Sequence, residues 1–413
     1  MRHDHDIVIV GGGLVGASLA IALERAGLRA ALVEAAPAQA NHQPSYDERH
    51  LALARATVNA LEALGVWAEV GARATPITRI HVSRRGEFGA LRLDAAAHGV
   101  DAFGAVLPAR ELGNGLLARL ADCRALARYA PAKLTALAPA GDALEARLTT
   151  ADGERTLRTR LLVGADGTDS FVRAALGIGA ETFDYAQTAF VATLTPARWD
   201  GCAYERFTAE GPLAVLPLAA RRVGVVLTVP AAQAAEVAAL DDDGFIARVQ
   251  ERFGWRLGAL ARPGRRAAYP LRRVRARRLV APRAVLIGNA AQTLHPVAAQ
   301  GFNLGLRDAL TLAELLVDAA ARGDDPGDAD LLAAYAERRR VDHAETAALS
   351  DTLARVTVGE SAPRKWLRSL GLLALDRVAP LKDRLVRHGM GFRGEVPRLA
   401  LGVPVRERGG GSA

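Results

Sequence analysis

Six residues near the start of the chain, Gly11-Gly12-Gly13-Leu14-Val15-Gly16, have the spacing of a loop that holds a dinucleotide. Gly11 permits a tight turn, Gly13 lets a pyrophosphate approach the backbone, and Gly16 permits close packing of a helix on the preceding strand. A helix opening at this point offers phosphate its unpaired N–H groups and the positive end of its dipole. Glu34, at the end of the next apolar run, is placed to accept hydrogen bonds from a ribose diol. An acid there points to an adenosine ribose without a 2′-phosphate, hence FAD or NAD.

Two further constellations carry chemistry. The segment LLVGADGTDSFVR, residues 161–173, delivers Asp166 and Gly167 from a strand into a turn and a short helix. A plain turn with a helix cap accounts for it equally well. The segment AVLIGNAAQTLHPVAAQGFNLGLRDA, residues 284–309, runs from a strand through Asn289, His295 and Pro296 to Gly301, Asn303 and a long helix. That helix start can face an anion, or a ring carbonyl that gains negative charge. His295 has two readings, a general base with a near-neutral pKa or a loop histidine orienting the turn before Pro296. Tyr204, Arg206 and Tyr269 read as pocket wall or core. Cys123 and Cys202 are far apart, without metal-ligand or disulfide spacing.

The elements that must position these groups follow from periodicity. Asp6 to Val10 reads as a buried strand, Gly13 to Ala26 as a helix and Arg29 to Glu34 as a second strand, a compact βαβ unit. A helix over Arg55 to Leu64, strands over Ile77 to Ser83 and Phe88 to Leu93, and a helix over Leu107 to Leu120 follow. Between Thr182 and Leu271 the pattern changes to short alternating strands with Gly and Pro turns. From Ala284 the strand–helix pattern returns, and beyond Asp330 the chain reads as helical. The fold class is therefore α/β: a Rossmann-like nucleotide-binding domain from residues 1–75, 100–180 and 275–350, an inserted sheet-rich domain from 76–99 and 181–274, and C-terminal helices over 351–413.

Composition narrows the class. Half of the 413 residues are hydrophobic, which argues against disorder. The net charge of +8 is nearly all arginine scattered along the chain, with only Lys133, Lys365 and Lys382 as lysines, so nucleic acid is not an expected partner. No signal peptide or membrane-length apolar run is visible, and a cytoplasmic protein is expected.

In combination, GGGLVG with Glu34, GADGTDSFVR and GNAAQTLHPVAAQGFNLGLRDA resemble the three fingerprints of the single-component FAD-dependent aromatic hydroxylases, which share the p-hydroxybenzoate hydroxylase-like fold. DERHLAL from residue 47, YERFTAEGPLAVLP over 204–217 and FGWRLGAL over 253–260 are similar to the ubiquinone-biosynthesis branch, which acts on polyprenylated methoxyphenols. The resemblance spans residues from about 5 to 350. It implies FAD held by Gly11, Gly13, Gly16 and Glu34, with Arg49 and Arg110 near its phosphates and Asp166 and Gly167 near the pyrophosphate. It places Asn289 at the ribityl chain and Pro296, Gly301 and Asn303 at the isoalloxazine ring. It also implies NADH or NADPH as a transient electron donor, molecular oxygen as co-substrate, and ring hydroxylation through a flavin hydroperoxide. Two positions depart from the family: Asn289 replaces the usual Asp, and Ala299 stands where relatives carry Gly. An amide oxygen still accepts from a hydroxyl, so binding is expected to survive. A prenyl reductase on the same fold and a non-catalytic flavoprotein or prenyl-binding module are the alternatives; the W-x-W pair of the flavin halogenases is absent.

Residues 363–390 mix Trp366 and many leucines with Arg and Lys. They fit helices lying peripherally on an anionic membrane face or engaging a ubiquinone-biosynthesis complex. They fit equally helices packed on the flavin domain or on a second subunit.

Overall fold

The computed structural model of the protein describes residues 3–24, 26–37, 47–295, 300–356 and 362–403. Its first sheet runs, in spatial order, Val280–Ala281, Ala284–Leu286, Gly153–Gly164, His5–Val10, Ala30–Val33 and Ala127–Tyr129. The inner strands are parallel, and Ile7, Val8 and Ile9 are fully buried. Burial on both faces explains why this strand reads as a continuous apolar run rather than an alternation. Helices Leu14–Ala22 and Gln300–Arg322 pack together against one face, sharing a core with Ile7, Ile9, Leu161 and Val163.

Register decides where the chemistry lies. Val10 pairs with Gly164, and Gly164 with Leu286, so the carboxyl ends of three adjacent parallel strands finish side by side. Each end feeds one of the three fingerprint segments. The chain leaves the central strand His5–Val10 in opposite directions across the sheet, and that divergence opens a crevice at the carboxyl ends where ligands bind in open α/β sheets.

The second sheet runs Gln292–Thr293, Ala267–Ala276, Ala180–Pro196, Arg222–Pro230, Pro212–Leu218, Cys202–Phe207, Arg79–Arg84 and Ala90–Asp94. Its backbone is the 17-residue strand Ala180–Pro196. This region differs from the expected run of short strands, because Asp242–Phe253 is a helix. Asp241 caps it by accepting from the Gly244 N–H at 2.8 Å, and Phe245, Val249 and Phe253 recur on one face and bury against the sheet.

A small third sheet, His50–Ala54 with Gly104–Pro108 and Thr75–Pro76, lies between the two larger ones. The C-terminal helices, Ala362–Arg377 and Ala379–Gly389, pack neither on the core of the first sheet nor free of the molecule. Leu372, Leu375, Leu385, Val386 and Met390 join the core of the Arg79–Asp94 hairpin at the outer edge of the second sheet. Among the described residues no helix is long and apolar enough to cross a membrane.

Candidate functional site

The glycine turn is built for close approach. Gly11 adopts φ +105°, and a Cβ there would stand 2.4 Å from the Ala165 carbonyl oxygen. A Cβ on Gly16 would stand 1.9 Å from the Gly11 carbonyl oxygen. Only glycine lets the helix, the turn and the second fingerprint touch backbone to backbone. Gly13 caps the helix Leu14–Ala22 with no side chain, which leaves the helix entrance clear for an anion. Glu34 stands beside it, accepting from the Gly12 N–H at 2.6 Å and the Ala36 N–H at 2.7 Å. Each carboxylate oxygen keeps a further lone pair for a hydroxyl.

Asp166 answers to the capping reading. Its carboxylate accepts from the Ser170 hydroxyl at 2.5 Å and the Val172 N–H at 3.0 Å, at the start of helix Phe171–Ala175. Its contribution to the crevice is backbone: the Ala165 N–H bonds Val10 at 2.8 Å, and Gly167 turns the chain at φ +86°. Arg173 then joins the second fingerprint to the third, donating to the Thr168 and Ala290 carbonyls at 2.9 Å each. Thr168 and Thr293 share a hydroxyl hydrogen bond of 2.9 Å.

In the third segment Gly288 turns at φ +59° and Asn289 is exposed at the crevice end of the sheet. Gly301 lies in the first turn of helix Gln300–Arg322, and a Cβ there would meet nothing within 4 Å. Pro296 and Ala299 lie outside the described residues. The Asn303 side chain is directed into the wall. Its oxygen accepts from the Ala54 N–H at 2.9 Å and the Thr57 hydroxyl at 2.7 Å, and its nitrogen donates to the Ala52 carbonyl at 2.9 Å. It therefore fixes the strand His50–Ala54 to the fingerprint helix. His295 is 1 % exposed, 3.2 Å from the Gln187 amide oxygen and edge-on to Tyr185 at 4.7 Å. This burial fits the orienting reading, since the ring docks the third segment on strand Ala180–Pro196.

Arg49 and Arg110 come together through Asp47 and Glu48. Asp47 accepts from Arg49 Nε at 2.8 Å, and Glu48 pairs with Arg110. Asp47 also accepts from the Tyr269 hydroxyl at 3.1 Å, while the Arg49 guanidinium lies 5.6 Å over that ring. Burial, then the Asp47 charge, push the Tyr269 phenol up to about 12. Tyr204 is core, as read from sequence, with its hydroxyl donating to Asp200. Arg206 is tied to the Arg252 carbonyl at 3.1 Å.

Sequence reasoning missed two participants, His50 and Asp308. His50 is 8 % exposed, and its Nε2 lies 3.3 Å from Thr193 Oγ1. Its ring lies on Gly224, where a Cβ would be 2.5 Å from Nδ1. A glycine inside the apolar strand Arg222–Pro230 was the available signal, since it marks close approach. Burial, reinforced by Arg222, lowers the His50 pKa to about 4. His50, Glu48, Thr193, Arg222 and Arg265 line a cavity of about 220 Å³ between the small sheet and the second sheet.

Asp308 is the second. It accepts from the Gly288 N–H at 3.0 Å, Arg339 Nε at 2.7 Å and His343 Nε2 at 2.7 Å. Burial alone would raise its pKa, but His343 and Arg339 outweigh that and hold it low. Asp342 extends the network, taking Arg339 at 2.6 Å, Arg393 at 2.8 Å and also Arg307.

Comparison with known proteins agrees with this geometry. The model of a family described as FAD binding domain matches residues 4–349. The chain is 40% identical over 404 residues to the ubiquinone hydroxylase UbiL of Rhodospirillum rubrum, covering 97% of this chain and 93% of the relative. It is 32% identical to the 3-demethoxyubiquinol 3-hydroxylase of Escherichia coli, covering 94% and 98%. Among solved structures, p-nitrophenol 4-monooxygenase PnpA of Pseudomonas putida superposes with a TM-score of 0.78 at 20% identity, covering 96% of this chain and all of that one. At that identity the likeness concerns the fold.

Proposed function

The chain belongs to the FAD-binding-domain family of flavoproteins that includes the ubiquinone hydroxylases, and on that premise we propose that it is a monooxygenase hydroxylating the aromatic ring of a polyprenylated methoxyphenol in ubiquinone biosynthesis. The observation that carries the reading is the convergence of three fingerprint segments at the carboxyl ends of three adjacent parallel strands. The second sheet stands across that crevice as the substrate half.

The residues fit FAD. Gly11 and Gly16 clear backbone that a Cβ would crowd, Gly13 leaves the helix entrance without a side chain, and Glu34 keeps acceptor capacity for a ribose. We assign cofactor contact to these four, to the turn at Asp166 and Gly167, to Asn289, and to the helix start at Gly301. Once bound and reduced by NADH or NADPH, FAD supplies the activation of molecular oxygen. What remains for the protein is binding, orientation and exclusion of water. Arg49 and Arg110 stand at the strand joining the two halves, their charges met by Asp47 and Glu48. Tyr269 keeps its proton at neutral pH and donates it to Asp47. His50 stays neutral beside the cavity. His295 orients the third segment, and Asn303 sets the position of the His50–Ala54 strand.

A polyprenylated phenol is almost insoluble in water, so we further propose that the enzyme collects it at a lipid surface or within a complex. The test supplies FAD-loaded protein with NADH or NADPH, a polyprenylated methoxyphenol and ¹⁸O₂. One labelled oxygen in the ring of the product is expected. Hydrogen added to the prenyl chain without label would establish the reductase alternative, and substrate-independent flavin reoxidation the non-catalytic one.

A further inference from the structure

The helix Ala362–Arg377 is clamped to the outer hairpin of the second sheet by its inner face. Glu87, in the hairpin turn, is 2 % exposed at its side chain and takes Arg84 from its own hairpin at 2.9 Å and Arg368 from the helix at 2.5 Å. A Cβ on Gly89 would lie 2.3 Å from the Ser369 carbonyl oxygen, so helix and hairpin meet backbone to backbone. Asp376 accepts from the Arg92 N–H at 2.9 Å and pairs with Lys382 at 3.3 Å. A buried carboxylate shared by two guanidiniums is costly to break, so the helix cannot easily roll.

That clamp turns the opposite face outward. Trp366, Leu367, Leu370 and Leu373 are 61 %, 73 %, 52 % and 38 % exposed. Phe88, at the tip of the hairpin turn, is 60 % exposed and meets Trp366 edge to face at 5.3 Å. Val378 and Leu381, at the joint with the next helix, are exposed as well. So many large apolar side chains in one place mark an interaction surface. Of the exposed charges on the adjoining turns, Arg377, Arg384 and Arg387 are basic, and the one acid, Asp383, is paired with His98 at 3.0 Å.

We propose that this face seats the protein on the surface of an anionic lipid bilayer, with the Phe88–Trp366 pair and Leu367 and Leu370 entering the headgroup boundary and the arginines meeting lipid phosphates. The proposal rests on the reading of the substrate as a prenylated phenol. Charge complementarity selects the occupant. A second copy docking by two-fold symmetry would bring two patches of like net charge together, a repulsion that an anionic headgroup layer replaces with attraction. Aromatic rings and long basic side chains suit an interface that is apolar on one side and wet on the other.

The experiment uses the full-length FAD-loaded protein, sedimented with phosphatidylcholine vesicles with and without phosphatidylglycerol. Binding is expected only to the anionic vesicles, and it should weaken as salt shortens the screening length. A Trp366→Ser/Leu370→Ser variant should keep its FAD and its turnover of a water-soluble short-chain phenol, while its vesicle affinity falls at least about tenfold. An Arg384→Glu/Arg387→Glu variant should lose the dependence on phosphatidylglycerol. Unchanged vesicle binding in both variants overturns the proposal. So does concentration-dependent self-association of the wild type that the first variant abolishes, which would make the occupant a second copy. Absence of ¹⁸O in the product with normal vesicle binding would instead overturn the proposed reaction and leave the docking face standing.

Discussion

Replacing Asp308 tests the support beneath the third fingerprint. The side chain is fully buried and receives Arg339, His343 and the Gly288 N–H, so Asp308→Ala strands three donors at once. Arg339 is 2 % exposed and keeps only Asp342 as counter-charge. Removing one partner of such a buried pair costs about 3–5 kcal/mol. An unfolding entropy of about 2.1 cal/mol/K per residue amounts to roughly 0.9 kcal/mol/K over a chain of this length. The expected loss in Tm is therefore about 3–6 °C. Asp308→Asn keeps the shape and one acceptor but not the charge, and should fall between wild type and Ala. Because Gly288 loses its anchor, both variants should also hold FAD more weakly. The folded pKa of Asp308 lies below its unfolded value, so its stabilisation is complete above the ordinary carboxylate range and is lost as pH falls through the folded value. The gap between the wild-type and Asn melting curves should thus narrow as pH falls below about 4. Differential scanning calorimetry and flavin fluorescence provide the readings. If Asp308→Ala melts within about 1 °C of wild type and retains its flavin, the network does not anchor the turn.

Glu34→Ala deletes the hydrogen bonds from the Gly12 and Ala36 N–H groups to the carboxylate and removes the proposed ribose partner. FAD affinity should fall about tenfold or more in a fluorescence titration, with the fold retained; an unchanged Kd would make Glu34 a loop brace alone. His50, with a folded pKa of about 4 against an ordinary 6.5, takes up protons more readily when unfolded. The wild type should accordingly lose up to roughly 3 kcal/mol between pH 6.5 and 4 through this group. His50→Gln should show a flatter dependence of Tm on pH over that window, and an identical slope would remove His50 from the account.

The glycine turn was legible from sequence because its constraint is local. Gly11 needs its positive φ and Gly16 its close approach to the Gly11 carbonyl, constraints set within a few residues, and Glu34 follows the very next strand. The segments around Gly167 and Gly288 were legible for the same reason, since each needs a positive φ just after a buried strand. Polar side chains did not share that transparency. The Asp166 carboxylate caps a helix and the Asn303 side chain bonds the His50–Ala54 strand, partners that spacing does not reveal. The composition of residues 363–390 showed basic and apolar character but not its direction, which Glu87 decides by gripping Arg368 from a distant hairpin. Likewise His50 acquires its neutral state from Gly224 and Arg222, on a strand far along the chain. Residue type and spacing determine which backbone turns are sterically possible. Where a side chain points, what it bonds and whether it holds its charge depend on atoms that only the packed tertiary structure brings within about 3 Å.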